Sequence, residues 1–81
     1  MAKIVYGISG SGSGHSSRSR EIMTHLKAQN HQVLGVSYDR GFRNLKNDFN
    51  DLQPEIVISD FEPMTAYMAT HRDIPLVTID N

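Results

Sequence analysis

Residues 4–20, with the sequence IVYGISGSGSGHSSRSR, decide the fold of this 81-residue chain. An apolar run ends in alternating glycine and serine, and the chain then enters a polar segment that can begin a helix. This order predicts a strand, a tight loop and a helix. Glycines leave the N–H groups of the loop uncovered, and a helix N-terminus carries partial positive charge. The segment therefore predicts a loop that can bind an anion such as a phosphate.

The loop fits neither of two common phosphate-binding patterns. In a G-x-G-x-x-G pattern that starts at Gly10, the third glycine would stand where the chain has His15. In a G-x-x-x-x-G-K-[ST] pattern that starts at Gly7, Ser13 replaces the lysine. A flexible connection with an exposed histidine therefore stays open, although a plain strand-to-helix connection needs only about 2–6 residues. The loop residues predicted to bind a phosphate or an acceptor are Gly10, Ser11, Gly12, Ser13 and Gly14.

Composition indicates one small domain over residues 1–81. The formal net charge is −1, and 38% of the residues are hydrophobic. This composition gives no sign of a basic face, so a nucleic-acid partner is not expected. The chain has no cysteine, which excludes disulfides and thiol chemistry and fits a cytoplasmic location. No apolar run approaches the ~20 residues of a membrane span, and no signal peptide precedes the first strand. The chain stops on Asp80-Asn81 directly after a predicted strand, which suggests a cut.

Four apolar runs lack the alternation of a half-exposed sheet and predict strands that are buried on both faces. They are Lys3–Ile8, Gln32–Ser37, Glu55–Ser59 and Leu76–Ile79. Between them, three helical patterns run over Ser17–Gln29, over Phe42–Leu52 and from Pro63 onward. The alternation predicts an α/β fold, a doubly wound Rossmann-like parallel sheet of four strands with three helices.

Right-handed crossovers predict the strand order 2-1-3-4, with one helix on one face and two on the other. The thinly covered face offers apolar surface for self-association. Because the order reverses between the first and third strands, a crevice is expected beyond their carboxyl ends. The glycine loop and the segment that begins at Asp60 should meet there.

His15 and Asp60 are the predicted catalytic pair. A carboxylate can orient an imidazole, whose other nitrogen then takes a proton from a substrate hydroxyl. For His15 the alternative is an exposed loop residue, and for Asp60 it is a cap on the helix that starts near Pro63.

Two further charged residues are binding candidates with structural alternatives. Arg18, in the first helical turn, can reach a phosphate or face solvent. Glu62 can bind a ligand or supply favourable charge at a helix N-terminus. Asp39 is interpreted as a turn residue. No metal site is predicted, because the other histidines lack ligand-like spacing; they are His25, His31 and His71.

Three segments resemble the start of a family of bacterial and archaeal glycosyltransferases of the GT-B superfamily. They are residues 5–19 (VYGISGSGSGHSSRS), 54–63 (PEIVISDFEP) and 74–81 (IPLVTIDN). The glycine loop is similar to that of the N-acetylglucosaminyltransferases that act on the lipid intermediate of peptidoglycan. The resemblance implies two Rossmann-like domains. The N-terminal domain would bind a sugar or lipid-linked acceptor and the C-terminal domain a nucleotide sugar, with no metal or other cofactor.

Carried over to this sequence, the resemblance implies that His15 is the general base. Gly12 and Gly14 match the acceptor-side loop, and Asp60 matches the acid that follows the next strand. The resemblance is also compatible with peripheral association of a parent enzyme with a membrane.

The chain departs from the family in two places. The donor domain is missing, and the stretch between Leu45 and Asp51 is shorter, as though a strand and a helix were absent. We therefore expect a fragment or trimmed core of the acceptor domain that is inactive alone. Two alternatives stay open: a stand-alone nucleotide- or phosphate-binding module, and a structural minimal fold with no retained site.

Overall fold

A four-stranded parallel sheet with helices on both faces organises the computed structural model, which describes residues 1–9 and 17–79. The strands are β1 (Lys3–Ile8), β2 (Gln32–Ser37), β3 (Ile56–Asp60) and β4 (Leu76–Ile79). The helices of the described residues are α1 (Ser17–Ala28), α2 (Phe42–Leu52) and α3 (Pro63–His71), and a 3-10 turn at Tyr38–Arg40 joins β2 to α2. The strand order is β2-β1-β3-β4, which confirms the predicted α/β class and topology.

The register of the sheet brings the carboxyl ends of β1, β2 and β3 together. Ile8, the last residue of β1, pairs with Ser37 of β2 on one side and with Asp60 of β3 on the other. The strand order reverses across β1, so helices can leave these ends on opposite faces. The predicted meeting of the first and third strands at this edge is confirmed.

The two faces of the sheet bury different sets of side chains because successive residues of a strand point in opposite directions. Val5 and Val57 pack in one core cluster with Phe49 of α2 and Met68 of α3. Tyr6, which follows Val5 in β1, points to the other face of the sheet, where it lies beside α1. One helix therefore covers one face and two cover the other, as predicted.

Helical periodicity identified the buried residues of α2 and α3 only in part. Leu45, Phe49 and Met68 are buried, as their spacing predicts. Phe42 lies three residues before Leu45 and Tyr67 lies three residues after Met64, yet Phe42 and Tyr67 are 50% and 56% exposed. Helical spacing alone therefore does not decide which apolar side chains of these two helices are buried.

The α1 face is incompletely covered over β3 and β4. Val77 is in register with Ile58 and points to this face, where it is 51% exposed. Exposed apolar surface of this kind is what the self-association prediction requires; association itself stays a prediction. No helix within residues 1–9 and 17–79 is long and apolar enough to cross a bilayer.

Candidate functional site

Asp60 is the centre of a buried polar cluster at the carboxyl end of β3. Its carboxylate is fully buried. Oδ2 accepts hydrogen bonds from the Tyr6 hydroxyl of β1 at 2.8 Å and from the Ser19 hydroxyl of α1 at 3.0 Å. Oδ1 accepts from Nη2 of Arg18, which also forms an ion pair with it. The cluster therefore ties β1, β3 and the first turn of α1 together.

The cluster keeps Asp60 ionised. Burial alone would raise the pKa of the Asp60 carboxyl, but the hydrogen bonds from Arg18, Tyr6 and Ser19 outweigh burial and hold the pKa below its ordinary value. Burial and the hydrogen bond to Asp60 raise the pKa of the Tyr6 hydroxyl to about 12. Tyr6 therefore stays a neutral donor to a fixed negative charge throughout the physiological pH range.

The glycine loop joins two segments that this cluster holds in place. Ile8 precedes the loop and is locked between β2 and β3, whereas Arg18 and Ser19 follow it and are bound to Asp60. The predicted binding residues Gly10, Ser11, Gly12, Ser13 and Gly14, together with His15, lie outside the described residues. The described residues thus fix the segments that precede and follow residues 10–16.

The pairing of His15 with Asp60 stays a prediction. The three donors to Asp60 occupy most of the roughly four lone-pair positions of a carboxylate. A contact with His15 would add a fourth donor to a group that already anchors α1. Whatever Asp60 does for His15, its observed contacts make it a structural anchor of the site.

Arg18 is both bound to Asp60 and partly exposed to solvent. Its guanidinium contacts Asp60, while its side chain is 42% exposed. The contact with Asp60 holds the guanidinium at the carboxyl end of β3. Its role in binding a phosphate or an acceptor stays a prediction.

Glu62, not Asp60, caps α3. The Glu62 carboxylate accepts hydrogen bonds from the backbone N–H groups of Met64 at 3.0 Å and Thr65 at 2.7 Å. The interpretation of Asp60 as the cap was therefore wrong, because the capping residue directly precedes Pro63 at the first helical position. The helix-terminus interpretation of Glu62 is confirmed, and its role as a ligand stays a prediction.

The start of α3 is held close to β1 at a glycine. A Cβ atom on Gly7 would lie 2.1 Å from Oγ1 of Thr65, far below any allowed contact. Glycine is therefore required at this position so that the helix N-terminus can approach the strand. Gly7 serves close packing here, a role that the motif comparison did not assign to it.

Sequence reasoning missed Tyr6 and Ser19. Both carry a recognisable signal. Tyr6 interrupts an otherwise aliphatic buried strand, and a buried tyrosine hydroxyl requires a hydrogen-bond partner. Ser19 falls on the stripe of α1 that continues with Met23 and Leu26, so a polar side chain points inward. The partner of both could not be read from the sequence, because it lies 54 and 41 residues away.

The remaining polar candidates lie outside this cluster. His25 and His71 are exposed, and Nδ1 of His31 accepts a hydrogen bond from the N–H of Ala2 at 3.0 Å. Asp39 lies in the turn after β2 and accepts from the hydroxyl of Ser37. Within residues 1–9 and 17–79, no three His, Asp or Glu side chains form a metal-binding group, and the absence of a metal requirement stays a prediction.

Comparison with known families adds one finding. The family described as "Glycosyl transferase family 1" matches the chain in two segments, residues 2–53 and residues 50–81. The two segments together cover nearly the whole chain and meet at the end of α2. Neither the curated proteins nor the solved structures give a match.

Proposed function

Because the chain belongs to glycosyl transferase family 1, we propose that it is the acceptor-binding, N-terminal half of a nucleotide-sugar-dependent glycosyltransferase of the GT-B type and is inactive alone. The family match over nearly the whole chain is the observation that carries this proposal. The open carboxyl edge at the strand-order reversal supports it, because ligands of open α/β sheets bind there.

The chain is further proposed to be a trimmed core of the family domain. A chain that lacks part of the family pattern would match in two pieces, and the two matched segments meet at residues 50–53. This position lies beside the stretch between Leu45 and Asp51, where the resemblance implies that the chain is shorter than the family domain. A strand and a helix missing there would leave β2 as the outer strand of the sheet.

Each group at this edge has a role in the proposal. The loop of residues 10–14 would hold the acceptor, and His15 would take the proton from its hydroxyl as the new glycosidic bond forms. Arg18 and Glu62 would line the acceptor site. The nucleotide sugar would bind a second domain, which would supply the groups that stabilise the leaving phosphate. We further propose that the chain shares the specificity of the N-acetylglucosaminyltransferases that act on the lipid intermediate of peptidoglycan. A cytoplasmic location and peripheral binding of a parent enzyme to the membrane are also part of the proposal.

The proposal that this chain binds the acceptor and a second domain binds the nucleotide sugar can be tested by measuring UDP release. The donors are UDP-glucose and UDP-N-acetylglucosamine, and the acceptors are methyl and lipid-linked glycosides. The chain alone should give no acceptor-dependent release. The chain fused to a donor-binding domain of the same family should give it. Acceptor-dependent turnover by the 81 residues alone would contradict the proposal.

The role of His15 is tested in the same fusion. His15→Ala should lower turnover by about 10²–10⁴-fold, the usual contribution of a general base, and leave the Kd for the nucleotide sugar unchanged. His25→Ala is the matched control, because His25 is an exposed residue of α1. Equal turnover in the two variants would remove His15 from the mechanism.

A further inference from the structure

Phe61 is the exceptional residue of the carboxyl edge. Its φ is +55°, in the left-handed region. The other non-glycine residues with positive φ, among those described, follow the ends of helices, where such a conformation is ordinary; they are Asn30, Gln53 and Asp73. Phe61 instead follows a strand. A bulky aromatic residue is disfavoured in this conformation.

The backbone around Phe61 is fixed on both sides. The Phe61 N–H donates to the carbonyl of Ile79 at 3.0 Å, which extends the pairing of β3 with β4 by one residue. The Ser59 hydroxyl bridges the turn by accepting from the N–H of Glu62 at 3.2 Å and donating to its carbonyl. Held in this turn, the Phe61 side chain is 62% exposed. The fold therefore presents an aromatic ring to solvent at the edge where ligands of such sheets bind.

The ring of Phe61 forms one wall of a groove of about 400 Å³. Pro63 and Ala66 of α3 supply further apolar wall, and Thr78 of β4 is exposed and contributes a hydroxyl. Of the described residues that line the groove, none is basic, and the one acidic residue, Glu62, is engaged in capping α3. The part of the groove that the structure describes is thus apolar with a few polar groups, and its described residues offer no cation to a phosphate.

We infer that this groove is a sugar subsite in which the Phe61 ring stacks on a pyranose of the acceptor, with the Thr78 hydroxyl beside the sugar hydroxyls. The inference rests on the proposed function and specifies where the acceptor binds. One face of a pyranose carries several C–H bonds, whose positively polarised hydrogens are attracted to the negative face of an aromatic ring. The described lining residues include no basic group and one carboxylate, that of Glu62, which favours a neutral sugar over a phosphate or the diphosphate of a nucleotide.

The test is a titration of the 81-residue chain with methyl β-glucoside, methyl β-galactoside and methyl β-N-acetylglucosaminide, followed by NMR. We expect saturable shifts of the Phe61 ring and of Ala66 and Thr78, and nuclear Overhauser contacts between the ring and the C–H protons of the sugar. The contacts need no variant. Uridine serves as the comparison probe, because a nucleobase can also stack on an aromatic ring.

Two variants separate binding from folding. Phe61→Asn removes the ring and suits the left-handed backbone, so Kd should rise roughly threefold to tenfold while the urea midpoint stays equal or rises. Phe61→Tyr should retain binding. Tyr67→Ala is the matched control, because it removes a similarly exposed aromatic side chain from α3 outside the groove.

The outcomes distinguish this inference from the proposed function. Glycoside shifts elsewhere on the chain, with Phe61 silent and an unchanged Kd in Phe61→Asn, would overturn the groove and leave the acceptor-binding proposal in place. A tighter interaction of the ring with uridine than with any glycoside would overturn the sugar assignment. No saturable glycoside binding anywhere would overturn both.

Discussion

Replacement of Asp60 by asparagine should destabilise the domain while keeping the shape of the side chain. The asparagine oxygen can accept from Arg18, and its amide can donate to the hydroxyls of Tyr6 and Ser19, because a hydroxyl can also accept. The variant therefore keeps the contacts of the cluster, reverses the direction of the two hydroxyl hydrogen bonds and loses the negative charge. Its effect measures how much the ionised carboxylate contributes.

The expected loss at pH 7 is about 1–3 kcal/mol. A hydrogen bond to a charged group contributes about 1.5–3 kcal/mol, against about 1 kcal/mol for a neutral one, and three such bonds meet at Asp60. The share of Arg18 is reduced by solvent screening, because its side chain is 42% exposed. The bonds from Tyr6 and Ser19 are buried and keep more of their strength.

The loss should depend on pH with a defined sign. The folded pKa of Asp60 lies below its ordinary value, so the unfolded chain binds the proton more readily. The charge of Asp60 therefore stabilises the fold fully above the unfolded pKa of about 3.9, and this contribution is lost as the pH falls through the lower folded pKa. The stabilities of the native chain and Asp60→Asn should converge in acid.

Urea denaturation at several pH values, followed by circular dichroism, gives both quantities. Asp51→Asn is the matched control, because Asp51 is exposed on α2 and should change stability by less than about 0.5 kcal/mol. The same stability for Asp60→Asn and the native chain at pH 7 would refute the anchoring role. A gap between them that does not narrow in acid would refute its assignment to charge.

Two further changes address the start of α3. Gly7→Ala places a Cβ atom 2.1 Å from Oγ1 of Thr65 and should cost about 1–3 kcal/mol in urea denaturation. Thr65→Ala should restore part of this loss, because the nearest atom then lies 3.0 Å away. Gly35→Ala should cost less, because its Cβ would meet the sulfur of Met23 at 2.9 Å and Cδ1 of Ile8 at 3.1 Å, which are both atoms near the ends of side chains. Equal costs at the two glycines would contradict the packing argument. Glu62→Ala should lower stability by about 0.5–2 kcal/mol by removing the cap of two N–H groups, and an unchanged urea midpoint would show that the cap contributes nothing.

The order of the strands could be predicted because few topologies satisfy four strands that are buried on both faces. Right-handed crossovers and helices on both faces leave 2-1-3-4 as the favoured order. The exact ends of the strands could not be predicted in the same way. The third strand was expected at Glu55–Ser59 and lies at Ile56–Asp60, because pairing with Ile8 and Ile79 includes Asp60 in the sheet.

The candidate site was predictable in location and less so in its contacts. The carboxyl edge follows from topology, so Asp60 was expected there. Its partners Tyr6 and Ser19 come from separate elements, and local sequence carries no information about which buried donors will meet. Capping of α3 stayed an open alternative for Asp60, and the structure gives the cap to Glu62; the sequence could not separate them, because several acidic residues before a proline satisfy the same pattern.

Phe61 shows a third limit of the sequence. Nothing in the pattern SDFEP of residues 59–63 indicates a left-handed backbone or an exposed ring at this phenylalanine. Its exposure follows from the turn that Ser59 and Glu62 close, which is a property of the assembled edge.

The central claim, that this chain binds the acceptor and not the nucleotide sugar, is tested most directly by an NMR titration of the isotopically labelled chain with methyl glycosides and, separately, with UDP-glucose. The account predicts saturable shifts with a glycoside, centred on the residues that follow β1 and β3 and on the groove lined by Phe61, Ala66 and Thr78, and no saturable shift with UDP-glucose. Saturable binding of UDP-glucose at residues 10–15, without a response to any glycoside, would contradict the account and identify a nucleotide-binding module instead.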